Sequence, residues 1–509
     1  MLIKTFGSAV FGVDATTITI EVNMDVGFNF FLVGLPDSAV KESQHRIVAA
    51  LKNNDLNWPG RKITINMAPA DIRKEGSAYD LPIAMGILSA SGQKDMPEID
   101  RYIIMGELSL DGGVQPIKGA LPIAIQARKE GFKGFILPKV NAREAAIVND
   151  LEVIGVENLS EVVDFLTGEK AIEPTIVNTR EEFQQHLENP AFDFSEVKGQ
   201  ENIKRALEIA AAGGHNVILI GPPGAGKTML AKRMPTILPP MTLIEALETT
   251  KIHSVAGKLG DNASLVAQRP FRSPHHSISN VALVGGGSFP QPGEISLAHH
   301  GILFLDEFQR TVLEVMRQPM EDRKVNISRA RFSIDYPASF MLVASMNPCP
   351  CGYFNHPSKE CVCSPGIVQK YLNKISGPLL DRIDLHVEVT PVSFDEMSSE
   401  RKEEKSADIR KRVVVARDIQ TERFKETEGV YSNAQMQTRH LREVCRIEKE
   451  GQDLLRHAID KLNLSARAYD RILKVARTIA DLEQSENIET GHLAEAIQYR
   501  SLDREGWMG

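Results

Sequence analysis

The chain of 509 residues exceeds what one hydrophobic core supports, so its length predicts about three or four domains. A formal net charge of −8 excludes a bulk polyanion binder of the histone type, although locally clustered Lys and Arg can still bind nucleic acid. No apolar run reaches the length of a membrane span, and five cysteines without a secretory signal predict a cytoplasmic protein with no membrane partner.

Residues 1–168 are predicted to form a first domain, because strand and helix patterns alternate along them. Helices are predicted at 38–52, 80–90 and 120–130, strands at 62–67 and 134–137, and a hairpin at 102–117. The segment 169–189 is polar, contains Pro174 and lacks periodicity, and it is therefore predicted to be a linker.

The segment 190–391 is predicted to be a P-loop α/β domain. An apolar strand at 216–220 runs into the sequence GPPGAGKT and then into a helix, which is the context of a phosphate-binding loop. Backbone N–H groups of such a loop surround the phosphates, Lys227 is expected to contact the β and γ oxygens, and the hydroxyl of Thr228 is expected to bind Mg²⁺. The predicted ATP-binding residues are Gly221, Pro222, Pro223, Gly224, Ala225, Gly226, Lys227, Thr228 and Met229.

A second apolar strand, at 301–305, is followed by two adjacent carboxylates, Asp306 and Glu307. Unpaired charge at the end of a buried strand is costly, so these acids are expected to have a chemical role. Asp306 is suited to the Mg²⁺ shell, and Glu307 is suited to polarise the water that attacks the γ-phosphate. Together the two segments predict an Mg²⁺-dependent ATPase.

Residues 392–509 are predicted to form a helical C-terminal domain. Helices are predicted at 441–460, 466–482 and 490–499, and the charged run 398–428 is interpreted as a solvated helix face.

Several segments resemble one family. The order of P-loop, Asp–Glu strand and helical domain is similar to that of AAA+ ATPases. The sequences RSPHH at 272–276, PGEISLAHHG at 292–301 and NPCPCG at 347–352 resemble the magnesium-chelatase-like bacterial family that includes the ComM/YifB proteins. The resemblance covers nearly the whole chain, and it implies a hexameric ring with ATP between subunits and a lid formed by residues 392–509.

The resemblance also implies roles for three residues outside the P-loop. Asn347 matches the position that senses the γ-phosphate and orients water, and Arg382 matches the arginine finger donated to a neighbour's site. Arg467 matches the sensor arginine of the lid. Spacing alone does not distinguish the two arginines from ordinary surface residues.

The N-terminal domain resembles the α/β fold shared by Lon proteases and ribosomal protein S5, in segments 74–82 and 106–120. Serine–lysine catalysis needs a hydroxyl and a desolvated amine at fixed positions. In this chain the serine position falls on Ala78 and the lysine position on Leu121, while Ser77 and Lys118 are out of register. The domain is therefore interpreted as a non-catalytic scaffold.

Four cysteines occur within one short segment, as the pairs Cys349/Cys351 and Cys361/Cys363. One interpretation is a structural zinc site that staples a loop with little apolar content, with His356 as a weaker candidate ligand. The alternatives are thiols packed as small hydrophobes and redox-active pairs. The lone Cys445 is interpreted as a core residue.

Two histidine pairs, His275/His276 and His299/His300, also raise the question of a metal. The second pair comes just before the Asp–Glu strand, so packing or hydrogen bonding is the preferred interpretation for it.

Two inserted segments are candidates for substrate contact. The segment 281–298 is glycine-rich and predicts a projecting hairpin, and 324–334 predicts two strands that meet around Arg329 and Arg331. In a ring, such tips line the pore, where these arginines can follow a DNA backbone. An ordinary surface hairpin is the alternative.

Two main function classes and a third, weaker one follow. The family resemblance implies a motor that moves single-stranded or branched DNA, acting as a branch-migration helicase in recombination during natural transformation. The alternatives are a chelatase-like ATPase that remodels a protein complex and, less strongly supported, a Lon-like ATP-dependent protease. The predicted cofactors are ATP and Mg²⁺, together with Zn²⁺ under the first interpretation of the cysteines.

Overall fold

The computed structural model describes residues 2–179, 183, 192–260, 263–287, 290–307, 314–329, 332–356, 358–373, 375–398, 402–427, 429–462 and 464–500. Within these residues an N-terminal α/β domain, a central domain on a parallel sheet and a C-terminal helical region follow one another along the chain. The predicted α/β multidomain class is confirmed. Among the described helices, none combines the length and the apolar character that a membrane span requires.

The N-terminal domain is built on a seven-stranded mixed sheet in the order β3-β4-β2-β1-β5-β8-β9. Its strands, with a small hairpin β6–β7, are β1 Leu2–Phe11, β2 Asp14–Asp25, β3 Phe30–Val33, β4 Lys62–Ala68, β5 Tyr102–Ile104, β6 Glu107–Leu108, β7 Val114–Gln115, β8 Gly134–Pro138 and β9 Glu152–Val156. Its helices are α1 Ser38–Lys41, α2 Ser43–Asn53, α3 Asp80–Ala90, α4 Ala120–Lys129, α5 Lys139–Ala145 and α6 Leu159–Thr167.

Two details of this domain differ from the sequence prediction. The helix predicted at 38–52 is divided into α1 and α2 at Glu42, and Asp37 caps its start by accepting a hydrogen bond from the backbone N–H of Val40 at 2.8 Å. The hairpin predicted at 102–117 is much shorter, because β5 pairs in parallel with β1 and β8 inside the sheet. Only Glu107–Leu108 and Val114–Gln115 pair as a hairpin.

The start of the segment predicted to be a linker lies against the N-terminal domain. The backbone N–H of Thr175 donates to the carbonyl oxygen of Val153 at 2.8 Å, and Val177 is buried. Residues 180–182 and 184–189 of this segment lie outside the described residues.

The central domain has a five-stranded parallel sheet in the order β11-β14-β17-β10-β18. The strands of this domain, including two short hairpins, are β10 Val217–Ile220, β11 Phe271–Arg272, β12 Gly285–Gly286, β13 Gln291–Pro292, β14 Ile302–Asp306, β15 Lys324–Arg329, β16 Phe332–Pro337, β17 Met341–Met346 and β18 Leu385–Glu388. Its helices are α7 Glu201–Gly213, α8 Lys227–Ile237, α9 Leu243–Ala256, α10 Asn280–Val284, α11 Glu294–Leu297, α12 Arg317–Asp322, α13 Pro365–Leu372 and α14 Gly377–Leu380.

The three middle strands of this sheet, β14, β17 and β10, are nearly continuous apolar runs. Every residue of β10 and β17 is buried, as expected for parallel strands covered on both faces. Parallel strands also end at the same edge, so polar residues that follow β10, β14 and β17 are brought together there.

The C-terminal region is helical, as predicted. Its helices, with α15 preceding the long α16, are α15 Phe394–Ser398, α16 Ser406–Arg423, α17 Thr438–Val444, α18 Lys449–Leu462, α19 Ala466–Leu482 and α20 Thr490–Gln498. The helix predicted at 441–460 is two helices, separated by a short segment in which Ile447 forms a β-bridge with Ile488. The long amphipathic helix α19 has more buried residues than any other described helix of this region.

The N-terminal and central domains meet where α9 packs on α4. Ser254 at the end of α9 donates a short hydrogen bond to the buried carboxylate of Glu144. The same carboxylate accepts a hydrogen bond from the backbone N–H of Leu121 at 2.9 Å. It therefore provides a partner for a donor in the first turn of α4 that has none within the helix. Leu121 is itself fully buried, so the position of the protease lysine is occupied by apolar core.

Candidate active site

The P-loop follows the carboxyl end of β10 and leads directly into α8. Gly224 and Gly226 have φ of 81° and 87°, a region that favours glycine. A Cβ on Gly221 would lie 2.2 Å from the carbonyl oxygen of Val389, so this position also requires glycine. A Cβ on Gly224 would meet nothing within 4 Å, so the loop faces open space where phosphates can enter.

Lys227 projects back across this loop. Its Nζ donates to the carbonyl oxygens of Gly221 and Pro222 at 2.6 and 2.9 Å, and to Asn347 Oδ1 at 3.0 Å. Burial lowers the pKa of this amine, while Asp306 and Glu307 act in the opposite direction. An ammonium held only by neutral acceptors is poised to exchange them for phosphate oxygens.

Thr228 and Asp306 lie side by side at the sheet edge. Thr228 Oγ1 donates to Asp306 Oδ2 at 3.1 Å, and Ser345 Oγ donates to Asp306 Oδ1 at 2.8 Å. Neighbouring oxygen ligands of an octahedral Mg²⁺ with bonds of about 2.1 Å lie about 3 Å apart. The hydroxyl and the carboxylate therefore fit two positions of a magnesium shell.

Glu307 is the first residue after β14 and adopts a positive φ of 51°, which is uncommon for a residue other than glycine. Its Oε1 accepts a hydrogen bond from Asn347 Nδ2 at 2.5 Å. Asn347 therefore contacts both Glu307 and Lys227. A cavity of about 460 Å³ opens beside Glu307 and Asn347, so water can reach the carboxylate.

Arg382 lies away from the P-loop of its own chain, in the turn between α14 and β18. It is 9% exposed, and its Nη1 donates to the carbonyl oxygen of Pro378 at 2.5 Å. Its Nη2 forms a 2.5 Å ion pair with Glu321 at the end of α12. The ion pair must break before this guanidinium can bind another group.

Arg467 is exposed near the start of α19, beside the turn that carries Arg382. Ser465, which caps α19, donates to Asp381 Oδ1 at 3.3 Å, and Arg471 forms a 3.0 Å ion pair with Asp384. Among the described contacts none joins Arg467 to the P-loop of the same chain. The structure therefore groups Arg467 with the Arg382 turn.

The four cysteines converge. Cys349 Sγ lies 3.3 Å from Cys351 Sγ and 3.7 Å from Cys361 Sγ, and all four sulfurs lie within 4.8 Å of one another. Tetrahedral Zn–S bonds of about 2.3 Å place sulfurs about 3.8 Å apart, so the cluster fits a zinc ion. His356 accepts backbone N–H groups from Ser358 and Lys359 through Nδ1 and is not part of the cluster.

The cysteine loop also packs on the P-loop. A Cβ added to Gly352, next to Cys351, would lie 2.5 Å from Cδ of Pro223. A backbone hydrogen bond from Tyr353 is the main cause that lowers the pKa of the Cys351 thiol to about 6. The loop is thus placed to affect the shape of the nucleotide site.

The histidines are engaged in hydrogen bonds. His299 Nδ1 accepts the backbone N–H of Ser339 at 3.0 Å, which leaves the proton on Nε2, facing Glu248 at 3.4 Å. A protonated ring nitrogen cannot bind a metal, so this geometry favours a hydrogen-bonding role. His275, in the other pair, is exposed and bonds to Ser277.

The predicted substrate hairpin exists as β15 paired antiparallel with β16. One face, with Val325, Ile327 and Tyr336, is buried, and the other is polar. Arg331 lies outside the described residues, and only the backbone of Arg329 is described, as the last residue of β15. In the segment 281–298, β12 and β13 form a short hairpin, as predicted, but the described residues beside it are packed, since Leu283 and Ile295 are fully buried. Residues 288 and 289 lie outside the described residues.

Two partners of the predicted site residues are absent from the predicted set. Ser345, which bonds to Asp306, has a sequence signal, since it is the one hydroxyl near the end of an apolar strand. Glu321, which pairs with Arg382, has none, because the two residues belong to segments that meet only in the folded chain.

Comparison with protein families gives matches along most of the chain. Models described as "Magnesium chelatase, subunit ChlI", "Subunit ChlI of Mg-chelatase" and "Magnesium chelatase, subunit ChlI C-terminal" match residues 193–397, 20–141 and 403–500, respectively.

Comparison with individual proteins agrees. The chain is 44% identical over 506 residues to the competence protein ComM of Haemophilus influenzae, covering 98% of this chain and 97% of that protein. It is 44% identical over 507 residues to YifB of Escherichia coli, covering 97% of this chain and 96% of that protein. A shorter match, 31% identical over 129 residues, joins it to Lon protease 2 of Bacillus subtilis, over 25% of this chain and 23% of that protein.

Proposed function

The chain belongs to the ComM/YifB family of magnesium-chelatase-like AAA+ proteins, and on that premise we propose that it is a ring-forming ATPase that moves DNA. The observation that carries the ATPase assignment is the cluster at the sheet edge, where Lys227 and Glu307 both bond to Asn347 and Thr228 bonds to Asp306. These groups come from the ends of three adjacent strands and leave open space above Gly224.

Each residue has a role in this proposal. The P-loop N–H groups and Lys227 bind the phosphates of ATP, and Thr228 and Asp306 hold the Mg²⁺ that neutralises the charge developing on them. Glu307 orients and polarises the attacking water, and Asn347 leaves its bonds to Lys227 and Glu307 to contact the γ-phosphate. Arg382 and Arg467, which share one surface region, act on the ATP of a neighbouring subunit in a homo-hexamer.

DNA is proposed as the substrate on two grounds. A relative that matches nearly the whole chain is named for competence. Arg329 is the last residue of β15, and Arg331 precedes β16 in the sequence, outside the described residues. The specific activity that we propose is branch migration of single-stranded or branched DNA during transformation. A chelatase-like remodelling ATPase is the second candidate, since the matching family models are described as magnesium chelatase subunits. Proteolysis is disfavoured, because Ala78 and Leu121 offer neither a hydroxyl nor an amine.

The first test is the ATPase rate with and without DNA. We expect single-stranded or branched DNA to raise the rate of the wild-type ring, and ATP to drive unwinding of a branched substrate. A ring that hydrolyses ATP but neither binds nor responds to DNA would contradict the DNA assignment, retain the ATPase assignment and favour protein remodelling.

Replacing Arg329 and Arg331 together with Ala should weaken DNA binding and uncouple hydrolysis from strand movement, while basal ATPase is retained. Each phosphate contact contributes about −0.7 to −0.9 to the slope of log K against log[salt]. The double variant should lose about two such contacts, so its slope should be shallower by their combined contribution. Lys324→Ala is the matched control, since its ammonium is already paired with Asp335 at 2.8 Å. If the double variant unwinds DNA at the wild-type rate, Arg329 and Arg331 do not bind the DNA during unwinding.

We also propose that the four cysteines bind one structural Zn²⁺. The sulfur spacing supports the proposal, and a thiolate cage would stiffen a loop that contacts Pro223 of the P-loop. The ion would have a structural role, because four protein ligands leave no open position for substrate.

Metal analysis of protein purified without chelator is expected to find about one zinc per chain. Replacing Cys361 and Cys363 with Ser should remove the zinc, lower the melting temperature and weaken ATP binding through the Gly352–Pro223 contact. Cys445→Ala is the control, because Cys445 lies in the C-terminal core. The Cys445→Ala variant should contain as much zinc as wild type. Metal-free protein with full activity would favour packed thiols instead.

A further inference from the structure

A second polar cavity lies at the opposite edge of the central sheet from the P-loop. It has a volume of about 110 Å³, and its lining includes Asn216, Gly301, Met341 and Asp384, which stand at or just before the amino ends of β10, β14, β17 and β18. Ser432 and Gln435 of the C-terminal region cover its other side. It is therefore separate from the nucleotide site, which uses the carboxyl ends of the same strands.

The described lining of this cavity carries an excess of positive charge. Four guanidinium groups face two carboxylates, and the set comprises Arg269, Arg323, Arg417, Arg471, Glu245 and Asp384. Arg269 pairs with Glu245 at 3.2 Å and Arg471 pairs with Asp384 at 3.0 Å. For the other two arginines, Arg323 and Arg417, no carboxylate of the described residues lies within ion-pair distance, although Asp384 and Glu245 attract them from farther away.

These two arginines are held in place by their surroundings. Arg417 donates through Nε and Nη2 to the carbonyl oxygens of Ala212 and Ala211, at the end of α7, at 3.0 and 2.9 Å. Arg323 has a positive φ of 54°, and its backbone bonds to Pro319 and Ala338 fix it at the base of the β15–β16 hairpin. Its guanidinium has no hydrogen-bond or ion-pair partner in the described part of the chain.

Burial of unpaired charge is costly, so such groups in a cavity indicate a missing partner. Burial lowers the pKa of Arg323 and of Arg417, each to about 10. Arg471 and Arg269, respectively, add to this effect, while Asp384 and Glu245 act in the opposite direction. An oxyanion in the cavity that these arginines line would offset this repulsion, and the planar guanidinium fork suits phosphate oxygens.

We infer that this cavity binds a phosphate group through Arg323 and Arg417. Its volume exceeds that of several water molecules but is well below the roughly 300 to 1,000 Å³ of pockets that enclose drug-sized ligands. The ligand is therefore inorganic phosphate or the phosphate end of a larger molecule that remains outside. Occupancy would connect the hairpin base, through Arg323, to the helical region that carries Arg417 and Arg471. The inference goes beyond the ATPase assignment and does not require it.

The test separates this cavity from the P-loop by using Lys227→Ala as the background. Melting temperature is measured against inorganic phosphate at constant ionic strength, and ATP and a short oligonucleotide are tested in parallel. We expect saturable stabilisation by phosphate in Lys227→Ala, and at least tenfold weaker apparent affinity after adding Arg323→Gln or Arg417→Gln. The control Arg456→Gln, at a side chain that is 74% exposed, should change nothing.

The three ligands tested, which are inorganic phosphate, ATP and the oligonucleotide, distinguish the source of the phosphate. Stabilisation by inorganic phosphate alone assigns a free anion, whereas stronger stabilisation by ATP or by the oligonucleotide assigns the end of that molecule. Arg323→Lys retains the positive charge at this turn, so it should retain part of the stabilisation by inorganic phosphate. Absence of any phosphate response in Lys227→Ala, or a response unchanged by both glutamine variants, would overturn the inference. Neither result would bear on ATP hydrolysis at the P-loop.

Discussion

Replacing Glu307 with Gln is expected to leave ATP bound and to slow its hydrolysis by about 100-fold or more, because a group that activates water typically contributes about 10²- to 10⁴-fold. Glutamine keeps the size of the side chain and can still bond to Asn347, so the surrounding geometry should survive. The P-loop, Thr228 and Asp306 are untouched, so nucleotide affinity should change little. Single-turnover hydrolysis and equilibrium binding of a fluorescent ATP analogue measure the two quantities separately.

Lys227→Ala is the complementary variant and should fail at the earlier step. Loss of a charge-assisted contact to phosphate, worth about 1.5 to 3 kcal/mol, should weaken ATP binding by at least about 10- to 100-fold. Near-wild-type turnover in Glu307→Gln would remove the catalytic assignment of the carboxylate. Equal loss of binding in both variants would mean that Glu307 supports the P-loop and has no direct role in hydrolysis.

The grouping of the candidate nucleotide-site residues was predictable because their sequence signals are local. The residues Gly221–Thr228 are contiguous in the sequence, and Asp306 and Glu307 follow one apolar strand. The rule that parallel strands end at one edge then brings the two segments together without further information, and Thr228 indeed contacts Asp306. The apolar strands and the long amphipathic helix α19 were predictable for the same reason.

Features assembled from distant segments were not predictable. Arg323, Arg417 and Arg471 belong to a hairpin base and two helices, and only the fold brings them to one cavity. The local sequence predicted a long hairpin, but only the short β6–β7 hairpin forms, because β5 pairs inside the seven-stranded sheet. The contact of Gly352 with Pro223, which connects the cysteine loop to the P-loop, also has no sequence signature.

The position of Arg382 adds a requirement to the arginine-finger assignment. In this structure its Nη2 pairs with Glu321, whose side chain is 47% exposed. The guanidinium of this pair is largely buried and only the carboxylate is open to solvent, so Arg382 can exchange Glu321 for the more highly charged γ-phosphate of a neighbour. Glu321→Gln should therefore retain ATPase activity. If it instead lost as much activity as an Arg382 variant, the arginine would act through this ion pair and not as a finger.

Replacing Arg382 with Ala should reduce hydrolysis by about a thousandfold and leave ATP binding largely intact, since an arginine finger is worth about 10³ to 10⁵ in rate. The decisive measurement uses mixed rings of Arg382→Ala and Glu307→Gln subunits, co-expressed with two affinity tags and purified on both. An Arg382→Ala subunit supplies an intact Glu307, and a Glu307→Gln neighbour supplies an intact finger, so about a quarter of the interfaces in an equal mixture are complete. Activity approaching that fraction of wild type is expected if Arg382 acts across the interface. Mixed rings no more active than either parent would place its action within its own subunit.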